Sequence, residues 1–258
     1  MPRFSANIST LFTEREPYDR ITAAADCGFT AFEIQFPYEL PIDGWVAAKE
    51  KTGLDVSVIN LPVGDMTRGG PGLASVPGRE GQFRAAVAEA RLYVEALRPR
   101  CVNLLAGVAP EKLGLAACRA TLIENTRYAA EAFAPLGVRV VIEAINTHDR
   151  PGFFIATSAD AISLIDEVGH PNLALQHDLY HMQIMEGALI EPLTRLIHRI
   201  AHIQFADVPG RQEPGTGQID FATVFAAIDA LGYDGWVAAE YIPSTRTEDT
   251  LHWLPTKE

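Results

Sequence analysis

The chain has 258 residues, 48% of them apolar and 21% charged, with a formal net charge of −12 at pH 7. The length suits the roughly 250 residues of one eight-fold β/α barrel, and the acidity leaves no basic stripe that could neutralise a phosphate backbone, which argues against nucleic-acid binding. No window approaches the ~18 unbroken apolar residues of a membrane span, and MPRFSANIST lacks the apolar run of a secretory signal.

In chain order, short β-rich runs alternate with longer segments of helical period. FSANIS, AFEIQF, DVSVIN, CVNLLA, RVVIEA, LALQHD, HIQFAD and WVAAEY have the composition of strands. Between them lie apolar helical faces, one formed by Phe83, Val87, Ala90, Leu92 and Val94 up to Leu97, another by Leu122, Ala129, Ala130 and Phe133 up to Leu136. Gly28, Gly53, Gly137 and Gly232 stand where each helix would end in left-handed geometry before the next strand. A recurring βα unit with right-handed crossovers closes into an α/β fold, a single (β/α)8 TIM barrel spanning 1–258, with an open doubly wound sheet as the competing arrangement. The Gly- and Pro-rich stretch LPVGDMTRGGPGLASVPGRE, ahead of a helix starting near Arg79, is expected to lie over the barrel mouth. Cys27, Cys101 and Cys118 have no metal-type spacing and an odd count, so buried free thiols in a cytoplasmic protein are expected.

Barrel enzymes act at the C-terminal ends of their strands, so polar residues that close apolar runs are the ones to collect. Glu143, Asp178, Gln204 and Glu240 fall at or near the ends of the fifth to eighth strands, along one arc of the barrel. Three carboxylates converging in a low-dielectric mouth repel one another unless a cation neutralises them. An all-oxygen set suits a divalent metal such as Mg²⁺ or Mn²⁺ better than Zn²⁺. A cation beside two carboxylates suits proton transfer next to a carbonyl, with Glu143 and Glu240 taking and returning the proton. His181, three residues after Asp178, can face the mouth and hydrogen-bond a substrate oxygen. Arg211, on the Gly/Pro-rich loop after the seventh strand, is the candidate clamp for a substrate carboxylate. Asn60 and Asp149 are further candidates for the substrate pocket, and Asn7 ends the first strand where it could join them. His177 should point to the opposite face of its strand, and it and His148 are taken as structural.

PRFSANIS, FPYE, NLPVGD with GREGQFR, IEAIN with PGFF, DLYHMQIMEG, ADVPGRQEPGTG and GWVAAEY run nearly the full length. Together they resemble the hydroxypyruvate isomerase branch of the xylose isomerase-like TIM barrels. The resemblance implies metal ligands at Glu143, Asp178, Gln204 and Glu240, with Glu143 and Glu240 as proton donor and acceptor. It also implies substrate contacts at His181 and Arg211, as in related ketose 3-epimerases. The chain departs from the family pattern at Ala144, His177, Gln218 and Ala239. The reaction implied is aldose-ketose isomerisation of hydroxypyruvate to tartronate semialdehyde. A 2-oxo-tetronate isomerase or a ketose 3-epimerase would use the same residues, and an abasic-site nuclease or a non-enzymatic binding barrel are the readings from other classes. The partner expected is a small sugar acid or ketose, not a nucleic acid or a membrane, and homo-oligomer formation stays open.

Overall fold

A computed structural model describes residues 1–255. Eight parallel strands form a closed barrel in sequence order: β1 (Arg3–Asn7), β2 (Ala31–Ile34), β3 (Asp55–Asn60), β4 (Cys101–Leu104), β5 (Arg139–Glu143), β6 (Leu173–Asp178), β7 (Ile200–Phe205) and β8 (Trp236–Ala239). The ring closes where β1 pairs with β8, Arg3 against Trp236 through Ala6 against Ala239. The open doubly wound sheet is thereby excluded. Around the ring lie α1 (Pro17–Asp26), α2 (Ile42–Thr52), α3 (Glu80–Leu97), α4 (Leu115–Phe133), α5 (Ser158–Val168), α6 (Leu179–Met185), α7 (Ile190–Leu196) and α8 (Phe221–Ala230). Among the described residues, no helix is long and apolar enough to cross a membrane.

The strands form where β-branched and apolar residues cluster, and their outward side chains bury against the helices. α3 shows how period sets burial. Phe83, Val87, Ala90, Val94 and Leu97 follow steps of three and four and are all buried. Leu92, read from the sequence as part of this face, is 58% exposed, because two residues beyond Ala90 is more than half a turn away from the stripe. Gly53 and Gly137 end their helical segments at φ 68° and 69°, a backbone conformation that favours glycine.

The barrel interior is layered. Val58, Cys101, Val141, Ala174 and Ala201 form a small apolar cluster of their own. The Cys101 Sγ lies 3.9 Å from the Ala201 carbonyl across the barrel. Burial pushes the Cys101 thiol up to about 12, so it stays a neutral filler. Above this plug the inward positions turn polar, with Ser5, Glu33, Ser57, Gln176, His202 and Gln204 all buried.

The long segment after β3 is an ordered lid. Its Asp65 accepts two contacts of 2.9 Å from Arg79 Nη1 and one of 3.0 Å from the Gly72 amide. The same guanidinium also donates to the Gly72 carbonyl at 2.9 Å. Partial burial pushes the Asp65 carboxyl up, but the Arg79 and Gly72 contacts outweigh it and hold the group below its ordinary value. A depressed folded pKa gives a contribution that is complete above the unfolded value of about 4 and is lost as pH falls through the lower folded one. Asp65 and Arg79 are each about a third exposed, so solvent screens the pair. Asp65→Ala is therefore expected to lower the global Tm by no more than about 4 °C, roughly 1 kcal/mol for a chain of this size. It should make residues 61–79 the first site of limited proteolysis, and the wild type should show the same sensitivity only well below pH 4.

Candidate active site

Glu143 and Asp178 are the last residues of β5 and β6, Gln204 lies one residue from the end of β7, and Glu240 follows β8 directly. Period-two alternation turns these positions into the barrel, and all four are buried. Each carboxylate is held differently. Glu143 Oε2 accepts from Asn103 Nδ2 at 2.6 Å, which leaves Oε1 facing the mouth. Asp178 caps α6, its Oδ1 accepting from the amides of Tyr180 at 2.8 Å and His181 at 3.4 Å; Oδ2 stays free of the cap. Glu240 accepts from Asn7 Nδ2 at 3.0 Å, Gln35 Nε2 at 2.6 Å and Arg211 Nη2 at 2.6 Å.

Burial pushes the Glu143 carboxyl well above its ordinary value, and the charges of Glu240 and Asp178 add to the effect. Burial likewise raises Asp178 and Glu240, in both cases opposed by the Arg211 charge. The His181 imidazole is driven down to about 3 by burial and by Arg211, so it is neutral at physiological pH. Asn146 Nδ2 lies 2.7 Å from His181 Nδ1. Since the amide donates, Nδ1 accepts, and this assigns the proton to Nε2. Nε2 stands 3.5 Å from Asp178 Oδ2 and 3.9 Å from Glu143 Oε1.

One oxygen each from Glu143 and Asp178 and one nitrogen of His181 lie within 4.8 Å of one another; with the His181 proton on Nε2, the two carboxylate oxygens are the donors of this group open to a cation. Glu240, a third buried carboxylate, lies outside that group but lines the same cavity and pairs with Arg211; the mutual repulsion of the three carboxylates is what a cation would relieve. Gln204 is placed one step lower. Its Nε2 donates to Glu33 Oε1 at 2.7 Å and its Oε1 accepts from Gln176 Nε2 at 2.5 Å. An amide oxygen has two lone pairs, so one remains for a ligand role. The residues present therefore fit a hard divalent cation.

A cavity of about 120 Å³ opens above this cluster, lined by Glu143, His181, Arg211, Glu240, Asn60 and Asp149, with apolar walls that include Met66, Leu105, Ile145 and Phe153. His181, Arg211, Asn60 and Asp149 are thus brought to one cavity, whereas Asn7 does not line it. Met66 and Thr67 of the lid reach it as well. Arg211, expected as a free clamp, is already engaged. It pairs with Glu240 and stands 3.8 Å from Asp178 Oδ2, with its guanidinium carbon 5.0 Å from the Tyr180 ring centroid. Its loop is organised by Asp207, which accepts from the amides of Gly215 at 3.0 Å, Gly217 at 2.8 Å and Ile219 at 3.1 Å.

Sequence reasoning missed the layer beneath. Glu33 is 1% exposed and takes donors from Asn7 at 2.8 Å, Gln204 at 2.7 Å, His202 at 2.6 Å and Ser57 at 3.4 Å. An acidic residue inside the apolar run AFEI was the available signal. Asn7, expected at the pocket, instead bridges Glu33 and Glu240 while also accepting from the Ser9 amide. His177 points outward as expected, its Nδ1 3.4 Å from Ser158 Oγ on α5, and burial lowers it to about 4. The departures at His177 and Ala239 therefore face the helix layer, and Gln218 is exposed.

A family model described as the xylose isomerase-like TIM barrel matches residues 21–257. The chain belongs to this family. Among xylose isomerase-like barrels, it is 43% identical to the hydroxypyruvate isomerase of Escherichia coli, over 98% of each chain. It is 42% identical to the 2-oxo-tetronate isomerase of Cupriavidus necator, again over 98% of each. A solved structure described as an AP endonuclease, family 2, from Brucella melitensis superposes with a TM-score of 0.95 at 40% identity, covering 98% of both chains. A D-allulose 3-epimerase from Methylomonas sp. shares the fold at a TM-score of 0.78 and 20% identity, covering 97% of this chain and 90% of its own. The resemblance to hydroxypyruvate isomerases in the motifs is borne out, and isomerase activity is supported by these relatives.

The raised carboxylates carry a stability consequence for this xylose isomerase-like barrel in metal-free form. A carboxyl whose folded pKa lies above its unfolded value binds more protons when folded, so stability is lost as pH rises through the folded pKa. Removing one buried negative charge should relieve this. Glu143→Gln is expected to raise the Tm of the metal-free protein at pH 8 by roughly 2–4 °C, about 1 kcal/mol, with a smaller gain at pH 5. A lower Tm for the variant at both pH values would contradict the repulsion.

Proposed function

We propose that the protein is a divalent-metal-dependent isomerase that interconverts hydroxypyruvate and tartronate semialdehyde. What carries this reading is the meeting of Glu143, Glu240 and the neutral His181 at one small cavity, on a chain whose full-length relatives are sugar-acid isomerases. The ion, Mg²⁺ or Mn²⁺, would be held by Glu143, Asp178, Gln204 and Glu240, and it supplies polarisation of the carbonyl and stabilisation of enediolate charge.

The rest of the chemistry belongs to the side chains. One glutamate removes the proton from the hydroxymethyl carbon of hydroxypyruvate, the hydroxyl proton passes from that carbon's oxygen to the former carbonyl oxygen, and the other glutamate delivers a proton to the neighbouring carbon as the double bond shifts. Glu143 and Glu240 fill these two roles, which are exchanged when the reaction runs in reverse. His181 Nε2–H donates to a substrate oxygen, its tautomer set by Asn146. Asn60 lines the rim, and its side chain makes no hydrogen bond among the described residues, which suits contact with a substrate hydroxyl. The apolar walls restrict water and strengthen each polar contact inside.

A four-carbon 2-oxo-tetronate is the second reading, favoured by the 42% identity to the Cupriavidus necator enzyme. Hydroxypyruvate, 2-oxo-tetronates and uncharged ketoses assayed with Mg²⁺ or Mn²⁺ separate these substrates. Turnover of a 2-oxo acid is expected, abolished by a chelator and restored by the ion; turnover of uncharged ketoses only would sink the sugar-acid reading. Glu143→Gln and Glu240→Gln should each lower kcat by about 10²–10⁴. Because ligation requires the raised carboxyls to ionise, calorimetry in buffers of different ionisation enthalpy should show proton release on metal binding.

A further inference from the structure

We propose that Arg150, a residue outside the expected site, receives the substrate carboxylate and so sets the preference for an acid. The proposal rests on the sugar-acid reading above. Arg150 lines the same cavity as Glu143, His181 and Glu240. Its position is fixed by backbone. The Arg150 amide donates to the Asn146 carbonyl at 3.2 Å, and the Phe153 amide donates to the Arg150 carbonyl at 3.1 Å. The turn is tied to the site at its other side chains. Asn146 Nδ2 donates to Asp149 Oδ2 at 3.0 Å, the Asp149 amide donates to Asn146 Oδ1 at 2.8 Å, and Tyr180 donates its hydroxyl to Asp149 Oδ2 at 2.9 Å. The same turn that orients His181 through Asn146 therefore carries Arg150 to the rim.

Charge explains why a second cation is needed. Glu143, Asp178, Glu240 and Asp149 face one engaged guanidinium, that of Arg211, which lies 2.6 Å from Glu240 and 3.8 Å from Asp178. With all four carboxylates ionised, even a divalent cation leaves the set one unit negative, which repels an anionic substrate. Arg150 is exposed, and no carboxylate of the described residues lies within 4.0 Å of its guanidinium, so its donors are free for a bidentate contact. Arg211 holds Glu240; Arg150 holds the substrate.

The two arginines then have separable kinetic signatures. In the metal-loaded enzyme, Arg150→Gln is expected to raise KM for hydroxypyruvate by about 10- to 100-fold, the range of a hydrogen bond to a charged group, with kcat within about threefold. Arg150→Lys should recover part of the loss. The equilibrium Kd of tartronate, an unreactive dicarboxylate, should weaken in proportion to KM. The affinity for dihydroxyacetone, which replaces the carboxylate of hydroxypyruvate by a hydroxymethyl group, should stay within twofold. Arg211→Gln should instead lower kcat. A tartronate Kd in Arg150→Gln within twofold of the wild type, or an equal weakening for dihydroxyacetone, overturns the assignment. A wild type that binds tartronate but converts no 2-oxo acid would overturn the proposed reaction and leave the carboxylate contact of Arg150 standing.

Discussion

Three carboxylates buried at one end of a closed barrel are an electrostatic burden that the surrounding structure is arranged to contain. Each is restrained from a different direction: Glu143 by the amide of Asn103 on β4, Asp178 by the first turn of α6, Glu240 by Asn7, Gln35 and Arg211 from three separate elements. None of these restraints neutralises more than one group. The site is therefore held in a geometry that its own charges oppose, one that a divalent cation would fit. Order at the mouth comes from neutral donors around the rim and from a single guanidinium.

Beneath this layer, Glu33 joins β1, β2, β3 and β7 through hydrogen bonds to Asn7, Ser57, His202 and Gln204. A buried polar network of this kind is costly when half satisfied and stiffening when complete. Here it fixes both ends of the Gln204 amide, because Glu33 accepts from the nitrogen and Gln176 donates to the oxygen. Asn7 couples the two layers, since one nitrogen donates both to Glu33 and to Glu240. The orientation of the functional set is thus supported from the barrel interior as well as from its loops.

Much of the fold was legible because it depends on local, repeated rules. Eight apolar runs separated by helices of the right period, with glycines at the turns, leave little freedom once the ring closes. DVSVIN and LALQHD coincide with β3 and β6, and the acids and amide near the strand ends were found because alternation fixes which way they point. Leu92 shows the limit of counting apolar residues without their phase. Arg211 shows another, since its partner Glu240 is 29 residues away and only the folded loop brings them to 2.6 Å. Glu33 was hidden by its company, an acid inside an apolar run whose four donors come from distant segments. Pairings of that kind depend on three-dimensional register and leave no trace in spacing.

The apolar plug of Val58, Cys101, Val141, Ala174 and Ala201 has a consequence for traffic rather than for packing. These five side chains are at most 5% exposed, so the barrel is shut at its lower end. Glu143 and Glu240 line a cavity at the opposite end. In the isomerisation proposed above, a hydrogen lifted from one carbon would stay near its acceptor in that cavity, and its exchange with bulk solvent would compete with delivery to the adjacent carbon.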